Sequence, residues 1–357
     1  MTIGLIILAG GKSSRMGQDK TQLLWQGSTF LETLLHKAQA YGFEEIIIAA
    51  GANAVKAVGT EAVIVEDRYA GCGPLGGLQA ALRVSKSDYS LALSCDMPLL
   101  QFDFLALLTK HANGENKAIV PLVAGQIQPL AALYHRDCIT GIESQLQVRK
   151  YRMTDLLGIV KTQYVDIMMS KSCFFNVNRP ADLVIARAKA SNRSRRIPIV
   201  TVSAARSGTG KTTLITLLLP LLAAQGLRVG VIKSDGHDFV LDQKGKDTQK
   251  FTEAGAVAVA IVAPTHYALM VQTVEKKSLE EIANKLDDVD LIFLETRASG
   301  LFPVMEILCE GFSDTCITPP EKLAAIIGDK YYPRQDVCQL GIHDLAGIVA
   351  FVQEVMG

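Results

Sequence analysis

Short apolar runs alternate with amphipathic stretches along the whole chain of 357 residues. In the first half the apolar runs read TIGLIILAG, EEIIIAAG, AVIVED, SLALSCD and KAIVPL. Between them lie stretches such as TFLETLLHKAQAYG, in which apolar positions recur every three or four residues as in an α-helix. Nearly continuous apolar strands separated by helices are typical of a parallel sheet covered on both faces. The pattern predicts an α/β fold.

The alternation stops once, at the polar and basic segment ARAKASNRSRRIP (residues 186–198), and then starts again. The second set of apolar runs reads IPIVTVSAA, RVGVIKSD, VAVAIVAP, LIFLET and EKLAAIIGD. The chain is long enough for two domains with separate cores. We therefore predict two three-layer α/β domains with mainly parallel sheets, at residues 1–186 and 198–357, joined by a linker at residues 187–197.

Charge and cysteine content narrow the classes of partner. Lys+Arg and Asp+Glu both total 36, so the net charge is zero, which argues against a nucleic-acid partner. The seven cysteines show no spacing typical of a metal site and indicate free thiols in a reducing compartment. The first apolar run lacks a preceding basic stretch, and the longest one, LITLLLPLLAA, is too short to cross a bilayer. These features predict a cytoplasmic protein without a membrane partner.

A glycine-rich loop, LAGGKSSRMGQDK (residues 8–20), follows the first predicted strand. It is not a complete P-loop, because the position for the first glycine of that motif is Ile6. Gly10 and Gly11 let a ligand approach the backbone, and the helix that follows would direct its N-terminus at an anion. The cations of the loop are Lys12, Arg15 and Lys20. The loop favours a pyrophosphate or triphosphate ligand; the alternative is an ordinary turn with surface lysines.

Two aspartates are predicted at the ends of strands on the same edge of the sheet. Asp96 follows the run SLALS, and Asp67 ends AVIVED. Ligands of open α/β sheets bind at the carboxyl ends of the strands, and Mg²⁺ is typically held by one or two carboxylates together with phosphate oxygens. Asp96 is therefore a candidate Mg²⁺ ligand. For each aspartate taken alone, the alternative is a carboxylate that caps a loop.

Four motifs in order resemble the molybdenum cofactor guanylyltransferases. They are LAGGKSSRMGQDK, EDRYAGCGPLGG, SCDMPLL and NVNRPADL, and the resemblance spans about residues 3–186. It implies a Rossmann-like nucleotidyltransferase that transfers GMP from GTP to Mo-molybdopterin and releases pyrophosphate. The rival interpretations are a cytidylyltransferase or another nucleotidyltransferase with a different phosphorylated acceptor, and a nucleotide-dependent delivery protein.

The resemblance also assigns roles to residues. It implies that Lys20 and Asp96 are catalytic and that Asp96 binds Mg²⁺, and the logic of phosphoryl transfer adds Arg15, whose charge would offset that of the phosphate oxygens. The implied nucleotide-binding residues are Leu8, Ala9, Gly10, Gly11, Lys20, Asp67 and Asp96. The sequence departs from the family at AAGAN, where members often have an asparagine about four positions before Asn53. Either Asn53 replaces that contact or the contact is absent.

A second phosphate loop, ARSGTGKTT (residues 205–213), has the strand, loop and helix order of a P-loop, although Ala205 replaces the first glycine. Lys211 would bind the β- and γ-phosphates and Thr212 would hold Mg²⁺. The predicted nucleotide-binding residues are Gly208, Thr209, Gly210, Lys211, Thr212 and Thr213. Glu295 ends LIFLET in the place of a Walker-B acid and is a candidate metal ligand; the alternative is a simple strand-end carboxylate.

The second half resembles MobB, the small GTP-binding protein that accompanies the guanylyltransferase. The matching stretches are ARSGTGKTTL, VGVIKSDGHDFVLDQKGKDTQKFTEAGA and ALM, over about residues 197–357. The resemblance implies a P-loop domain that binds GTP, with molybdoenzyme apoproteins or their chaperones as partners and a homodimer as one assembly. The chain departs from the family at KSDGHD, which keeps only His237, and at ETRA after Glu295. We expect slow GTP hydrolysis at most.

Overall fold

The computed structural model describes residues 1–9, 23–50, 62–67, 69, 71–234, 247–297, 300–334 and 336–357. It divides into two compact units, Met1–Ala186 and Arg187–Gly357. Both units are α/β structures, as the alternating pattern predicts.

The described part of the first unit contains all five strands that the sequence predicts, together with five further strands, so strands and helices do not strictly alternate. The strands are β1 (Ile3–Leu8), β2 (Leu24–Trp25), β3 (Ser28–Thr29), β4 (Ile46–Ala50), β5 (Val63–Glu66), β6 (Tyr89–Ser94), β7 (Ala118–Val123), β8 (Gln126–Ile127), β9 (Ala131–His135) and β10 (Thr162–Asp166). The helices are α1 (Phe30–Tyr41), α2 (Pro74–Val84), α3 (Leu105–Thr109), α4 (Cys138–Gln147), α5 (Met153–Leu157) and α6 (Pro180–Arg193), with short 3₁₀ helices at Phe102–Phe104 and Lys171–Phe174.

The main sheet of the first unit has the strand order β10-β7-β9-β6-β1-β4-β5, with β8 paired to β7. Strands β6, β1, β4 and β5 are mutually parallel, whereas β9 runs antiparallel to both of its neighbours. Alternate residues of β1 enter different cores: Leu5 and Ile7 pack with α1, and Ile6 and Leu8 pack with α2 and α4. A central strand that is apolar at every position is thus covered on both faces.

The second unit contains a six-stranded sheet in the order β12-β15-β11-β16-β17-β18, in which every pair is parallel. The described part of the second unit has eight strands, of which β13 and β14 lie outside this sheet. They are β11 (Ile199–Ser203), β12 (Val229–Ser234), β13 (Ala258–Val262), β14 (Tyr267–Val271), β15 (Leu291–Thr296), β16 (Val304–Leu308), β17 (Leu323–Gly328) and β18 (Cys338–Gly341). Its helices are α7 (Lys211–Ala223), which continues through Pro220, α8 (Asp247–Glu253), α9 (Leu279–Ala283) and α10 (Leu345–Met356).

The run VAVAIVAP does not belong to the main sheet of the second unit. It forms β13, which among the described strands pairs with β14 alone, in a separate antiparallel hairpin. Most of its side chains are exposed; Val262, for example, is 80% exposed. Hydrophobicity alone does not distinguish such a hairpin from a strand of the buried sheet.

The segment predicted as a linker, residues 187–197, is helical up to Arg193. Two polar side chains of this segment, those of Lys189 and Asn192, are buried, and each has a specific partner. The Lys189 ammonium lies 2.6 Å from the Glu354 carboxylate, and the Asn192 amide donates to the carbonyl of Val355 and accepts from the N–H of Ile199. Such burial leaves no apolar period in the sequence, so the hydrophobic pattern does not reveal the helix.

Candidate functional site

The first candidate site lies at the carboxyl edge of the parallel strands of the first unit. Strand β1 is flanked by β6 and β4, and β5 lies beyond β4, so the residues after these four strands share one edge. The Ala9 N–H donates to the carbonyl of Ala49 at 2.8 Å, and the Cys95 N–H to that of Leu8 at 3.4 Å. The predicted site residues Gly10, Gly11, Arg15 and Lys20, together with Lys12 and Asn53, lie outside the described residues.

Asp96 is buried at this edge, with only 6% of its surface exposed. The Ser94 hydroxyl donates to one of its carboxylate oxygens at 2.5 Å. The loop that follows is held from α1, because the Lys37 ammonium donates to the carbonyls of Pro98 and Leu100 at 2.8 and 3.0 Å. The predicted Mg²⁺ ligand thus occupies a loop with defined anchors.

The NVNRPADL motif meets the Asp96 loop directly. Val177, the second residue of the motif, is fully buried and donates its N–H to the carbonyl of Asp96 at 2.9 Å. Two of the four motifs that carry the resemblance, about 80 residues apart in the sequence, are therefore in contact.

Asp67 lies after β5 and rests against the first turn of α2. The Tyr69 N–H donates to its Oδ1 atom at 2.8 Å. Burial raises the pKa of the Asp67 carboxyl above its usual value, and the hydrogen bond from Tyr69 offsets part of that rise. A Cβ atom on Gly76 would lie only 2.6 Å from the same Oδ1. The GPLGG segment is thus glycine-rich partly because Asp67 occupies the space of a side chain at Gly76.

We predict that Gly76→Ala weakens GTP use by the first unit. The added methyl group displaces the Asp67 carboxylate, and a displacement of an ångström can cost up to about 100-fold in rate. The expected result is a rise of about 10-fold in the KM for GTP, measured by steady-state pyrophosphate release. In the matched control Gly141→Ala, the new Cβ meets Val160 and Leu156 rather than Asp67, and the KM should stay unchanged. Equal KM values for the two variants would contradict a role of Asp67 in nucleotide binding.

The second candidate site is the loop between β11 and α7 in the second unit. Gly208 and Gly210 have φ values of 80° and 91°, which L-residues with a side chain rarely adopt. The Lys211 ammonium and the Thr209 hydroxyl both donate to the carbonyl of Arg206 at 3.0 Å. The loop therefore has the left-handed glycines that a phosphate cradle requires, and its lysine lies folded over it.

Thr212 and Glu295 meet beside this loop. The Thr212 hydroxyl donates to a carboxylate oxygen of Glu295 at 2.8 Å. Glu295 reaches this position because β15 runs parallel to β11, with Glu295 in register with Val202. The two residues predicted as Mg²⁺ ligands are thus adjacent, whereas a strand-end carboxylate without function need not face the loop.

A cavity of about 330 Å³ opens at the loop and is lined by both of the predicted metal ligands. The lining residues are Ser207, Gly208, Gly210, Lys211, Thr212, Thr213, Lys233, Ser234, Glu295, Thr296 and Arg297. Of the predicted P-loop residues, only Thr209 does not line the cavity; its hydroxyl faces the Arg206 carbonyl instead.

Three residues at the second site have no function that the sequence alone assigns. Arg206 contributes its backbone carbonyl, and the sequence cannot reveal such a contact because every residue type has a carbonyl. The Arg206 guanidinium lies 5.6 Å from the ring centre of Phe312. Lys233 lines the cavity and lies near the end of β12. Its position at the end of a predicted strand is the sequence feature that could have identified it as a site residue. In the departure ETRA, Arg297 lines the cavity and lies 3.5 Å from the Ser207 hydroxyl. His237 and Ala298 fall outside the described residues.

The described part of the chain holds neither a metal-ligand cluster nor a membrane span. Within it, no three His, Cys, Asp or Glu side chains converge as a set of metal ligands. No helix in the described ranges has the length and apolar character that crossing a bilayer requires. All seven cysteines lie among the described residues, and none of them forms a disulfide bond.

Two family models match the chain, one in each unit. The MobA-like NTP transferase domain matches residues 5–161, and the molybdopterin guanine dinucleotide synthesis protein B model matches residues 199–329. The first unit thus carries a nucleotidyltransferase domain and the second a MobB domain.

Sequence relatives agree with the first match. A probable molybdenum cofactor guanylyltransferase of Halalkalibacterium halodurans is 35% identical over 186 residues, which cover 50% of this chain and 94% of the relative. A protein of the same name from Bacillus anthracis is 32% identical over 195 residues, covering 53% of this chain and 97% of the relative.

Solved structures resemble each unit. The molybdopterin-guanine dinucleotide biosynthesis protein A of Archaeoglobus fulgidus has a TM-score of 0.47 at 22% identity, covering 54% of this chain and 99% of its own. MobB of Bacillus subtilis has a TM-score of 0.37 at 24% identity, covering 45% of this chain and 99% of its own.

Together with the site geometry, the family matches and the sequence relatives lead to one conclusion: the chain belongs to the molybdenum cofactor guanylyltransferases, MobA-like nucleotidyltransferases of molybdenum cofactor biosynthesis, and carries a MobB domain as its second unit.

Proposed function

We propose that the first unit transfers GMP from GTP to Mo-molybdopterin, giving the molybdopterin guanine dinucleotide cofactor and pyrophosphate. The observation that carries this proposal is the buried Asp96 at the carboxyl edge of the sheet, with the NVNRPADL turn bonded to its main chain. The names of the relatives and of the matching families support GTP and molybdopterin as the substrates.

The proposed reaction is an in-line displacement at the α-phosphorus of GTP. A terminal phosphate oxygen of Mo-molybdopterin forms the new P–O bond, the bond from the α-phosphorus to the α,β-bridging oxygen breaks, and pyrophosphate leaves with that oxygen. No covalent protein nucleophile is needed. The protein contributes positioning and charge stabilisation, and Lys20 and Arg15 are proposed to act on the phosphates.

The residues present fit a Mg²⁺ ion at Asp96. Mg²⁺ is usually held by one or two carboxylates, while phosphates and waters fill its remaining positions. The buried Asp96 carboxylate agrees with this set of ligands, since the described residues contain no cluster of three or more His, Cys, Asp or Glu side chains that would replace the phosphates and waters. When bound, Mg²⁺ supplies positive charge against the phosphate oxygens and the departing pyrophosphate. Asp96 would hold it, and Ser94 and Lys37 would keep Asp96 and its loop in place.

We propose that the second unit binds GTP at its P-loop and hydrolyses it slowly at most. The adjacency of Thr212 and Glu295 beside a cavity of about 330 Å³ supports a nucleotide with Mg²⁺. Lys211 would leave the Arg206 carbonyl to bind phosphate. We also propose that the protein acts in the cytoplasm, since seven cysteines that form no disulfide bond fit a reducing compartment.

The preference of the enzyme for GTP over CTP tests the proposed function. We expect the full chain, supplied with Mg²⁺ and Mo-molybdopterin, to release pyrophosphate with GTP and at least about 10-fold more slowly with CTP, as one discriminating contact of about 1.4 kcal/mol would give. Equal or faster release with CTP would keep the chemistry and overturn the guanylyl assignment. Absence of release with either nucleotide would overturn Mo-molybdopterin as the acceptor.

A further inference from the structure

We propose that Asp182 is a positioning residue that sets the place of Asp96 in the active site. The inference rests on the proposed role of Asp96 in transfer and goes beyond it, because Asp182 follows the motif asparagines and lies on a helix rather than at a strand end. It acts through the backbone of the turn that Asp96 contacts.

Asp182 organises the turn before α6 with a single carboxylate oxygen. Its Oδ2 atom accepts hydrogen bonds from the N–H groups of Asn178 and Arg179, both at 2.8 Å. The Asp182 N–H donates to the carbonyl of Arg179, and the Arg179 guanidinium lies 3.6 Å from the Oδ1 atom. The side chain is largely buried. A carboxylate in the first turn of a helix also benefits from the helix dipole.

The turn that Asp182 fixes is the one that holds Asp96. Val177 immediately precedes Asn178, and its N–H donates to the Asp96 carbonyl at 2.9 Å. Because Val177 is fully buried, its backbone can shift little on its own. The path from the Asp182 carboxylate to the Asp96 main chain therefore consists of two hydrogen bonds and one covalent step along the chain.

Capping of α6 alone does not explain this arrangement. A cap requires the N–H of Arg179, the residue before the first helical position, Pro180. The second hydrogen bond, to Asn178, lies outside the helix and fixes the direction from which the chain enters it. On the other side of Asp96, Lys37 holds the loop through Pro98 and Leu100. Asp96 is thus held between two anchors, and Asp182 supplies one of them.

The test compares the kinetics of three substitutions at Asp182 in the full chain. Asp182→Ala is expected to lower kcat for guanylyl transfer by about 10- to 100-fold, with the KM for GTP changed less than about 3-fold, because a shifted Asp96 weakens the transition state more than substrate binding. Asp182→Asn keeps an oxygen that can accept the same N–H groups, and should restore kcat to within about 5-fold of the wild type. Asp182→Ser keeps an acceptor oxygen with a shorter reach and provides a second variant if the alanine protein does not fold, and its kcat should fall between those of the other two.

Glu45 offers a matched control for stability. It lies just before β4, at the opposite edge of the same sheet, and its carboxylate accepts from the N–H groups of Lys86 and Ser87 and from the hydroxyl of Ser85. Glu45→Ala should lower the Tm without lowering kcat. An equal loss of kcat in Glu45→Ala and Asp182→Ala, or wild-type kcat in a folded Asp182→Ala or Asp182→Ser protein, would overturn the inference.

An Asp96→Ala protein, measured in parallel, separates this inference from the proposed function. If Asp96→Ala is inactive while Asp182→Ala has wild-type kcat, the role of Asp96 stands and the role of Asp182 is overturned. If Asp96→Ala keeps full activity, the proposed role of Asp96 fails, and a positioning role for Asp182 fails with it.

Discussion

Replacement of Asp96 by alanine is expected to slow guanylyl transfer by about 100- to 1,000-fold, with normal folding. The magnitude follows from well-placed charge-stabilising groups in other enzymes, whose removal costs about 2.7–4 kcal/mol in the barrier. Asp96 is buried at the carboxyl edge of the sheet, where Ser94 binds its side chain and Val177 binds its main chain. In the described part of the first unit, no other buried carboxylate at a strand end on this edge has both kinds of contact. The measurement is kcat/KM for pyrophosphate release from GTP with Mo-molybdopterin as the acceptor.

Asp88 is the matched control for this substitution. It precedes β6 at the opposite edge of the sheet, where it accepts a hydrogen bond from the N–H of Thr2, and its side chain is half-exposed. Asp88→Ala should leave kcat/KM within about 2-fold of the wild type, as expected for a surface change away from the reaction. If Asp96→Ala and Asp88→Ala were equally active, Asp96 would have no part in the transfer.

Replacement of Lys211 by alanine is expected to reduce the number of GTP molecules bound per chain from about two to about one. The P-loop lysine is buried in the loop, 6% exposed, and lines the cavity in which the phosphate chain of GTP would lie. Loss of charge-assisted hydrogen bonds worth up to about 3 kcal/mol weakens binding by about 100-fold. Calorimetric titration of the full chain with GTP and Mg²⁺ measures the stoichiometry directly.

Two controls accompany the Lys211 measurement. Lys277→Ala removes an exposed lysine of the same unit, which pairs with Glu281, and should keep the stoichiometry of the wild type. Lys20→Ala, in the first loop, should also leave one bound GTP, but at the P-loop. An unchanged stoichiometry in Lys211→Ala would contradict the P-loop assignment.

Strand ends and loops carry most of what the sequence can predict. A parallel sheet brings the residues after its strands to one edge, so the positions of the predicted strands are enough to place Asp67 and Asp96 on the same edge, although β1 and β4 lie between the strands that carry them. The same reasoning places Glu295 beside the second loop, where it contacts Thr212. The roles of these residues in binding and catalysis stay predictions, as do those of Arg15 and Lys20.

The features that the sequence does not predict depend on contacts between distant polar groups. The end of α6 is held by Asn192 and Lys189, whose partners lie more than 150 residues further along the chain. In β16, Glu306 is fully buried because both of its carboxylate oxygens accept backbone N–H groups, from Ile317 and Thr318. Hydrophobic periodicity treats each of these residues as exposed, since it contains no information about partners.

The two nucleotide sites of the chain are proposed to serve different purposes: transfer at the first and GTP binding at the second. The most direct test measures formation of the molybdopterin guanine dinucleotide, by mass spectrometry, for the wild type, Asp96→Asn and Lys211→Ala in parallel. We expect Asp96→Asn to form at least about 100-fold less dinucleotide per unit time, while Lys211→Ala still forms it. Full activity of Asp96→Asn, or loss of the dinucleotide in a folded Lys211→Ala protein, would contradict this division of roles.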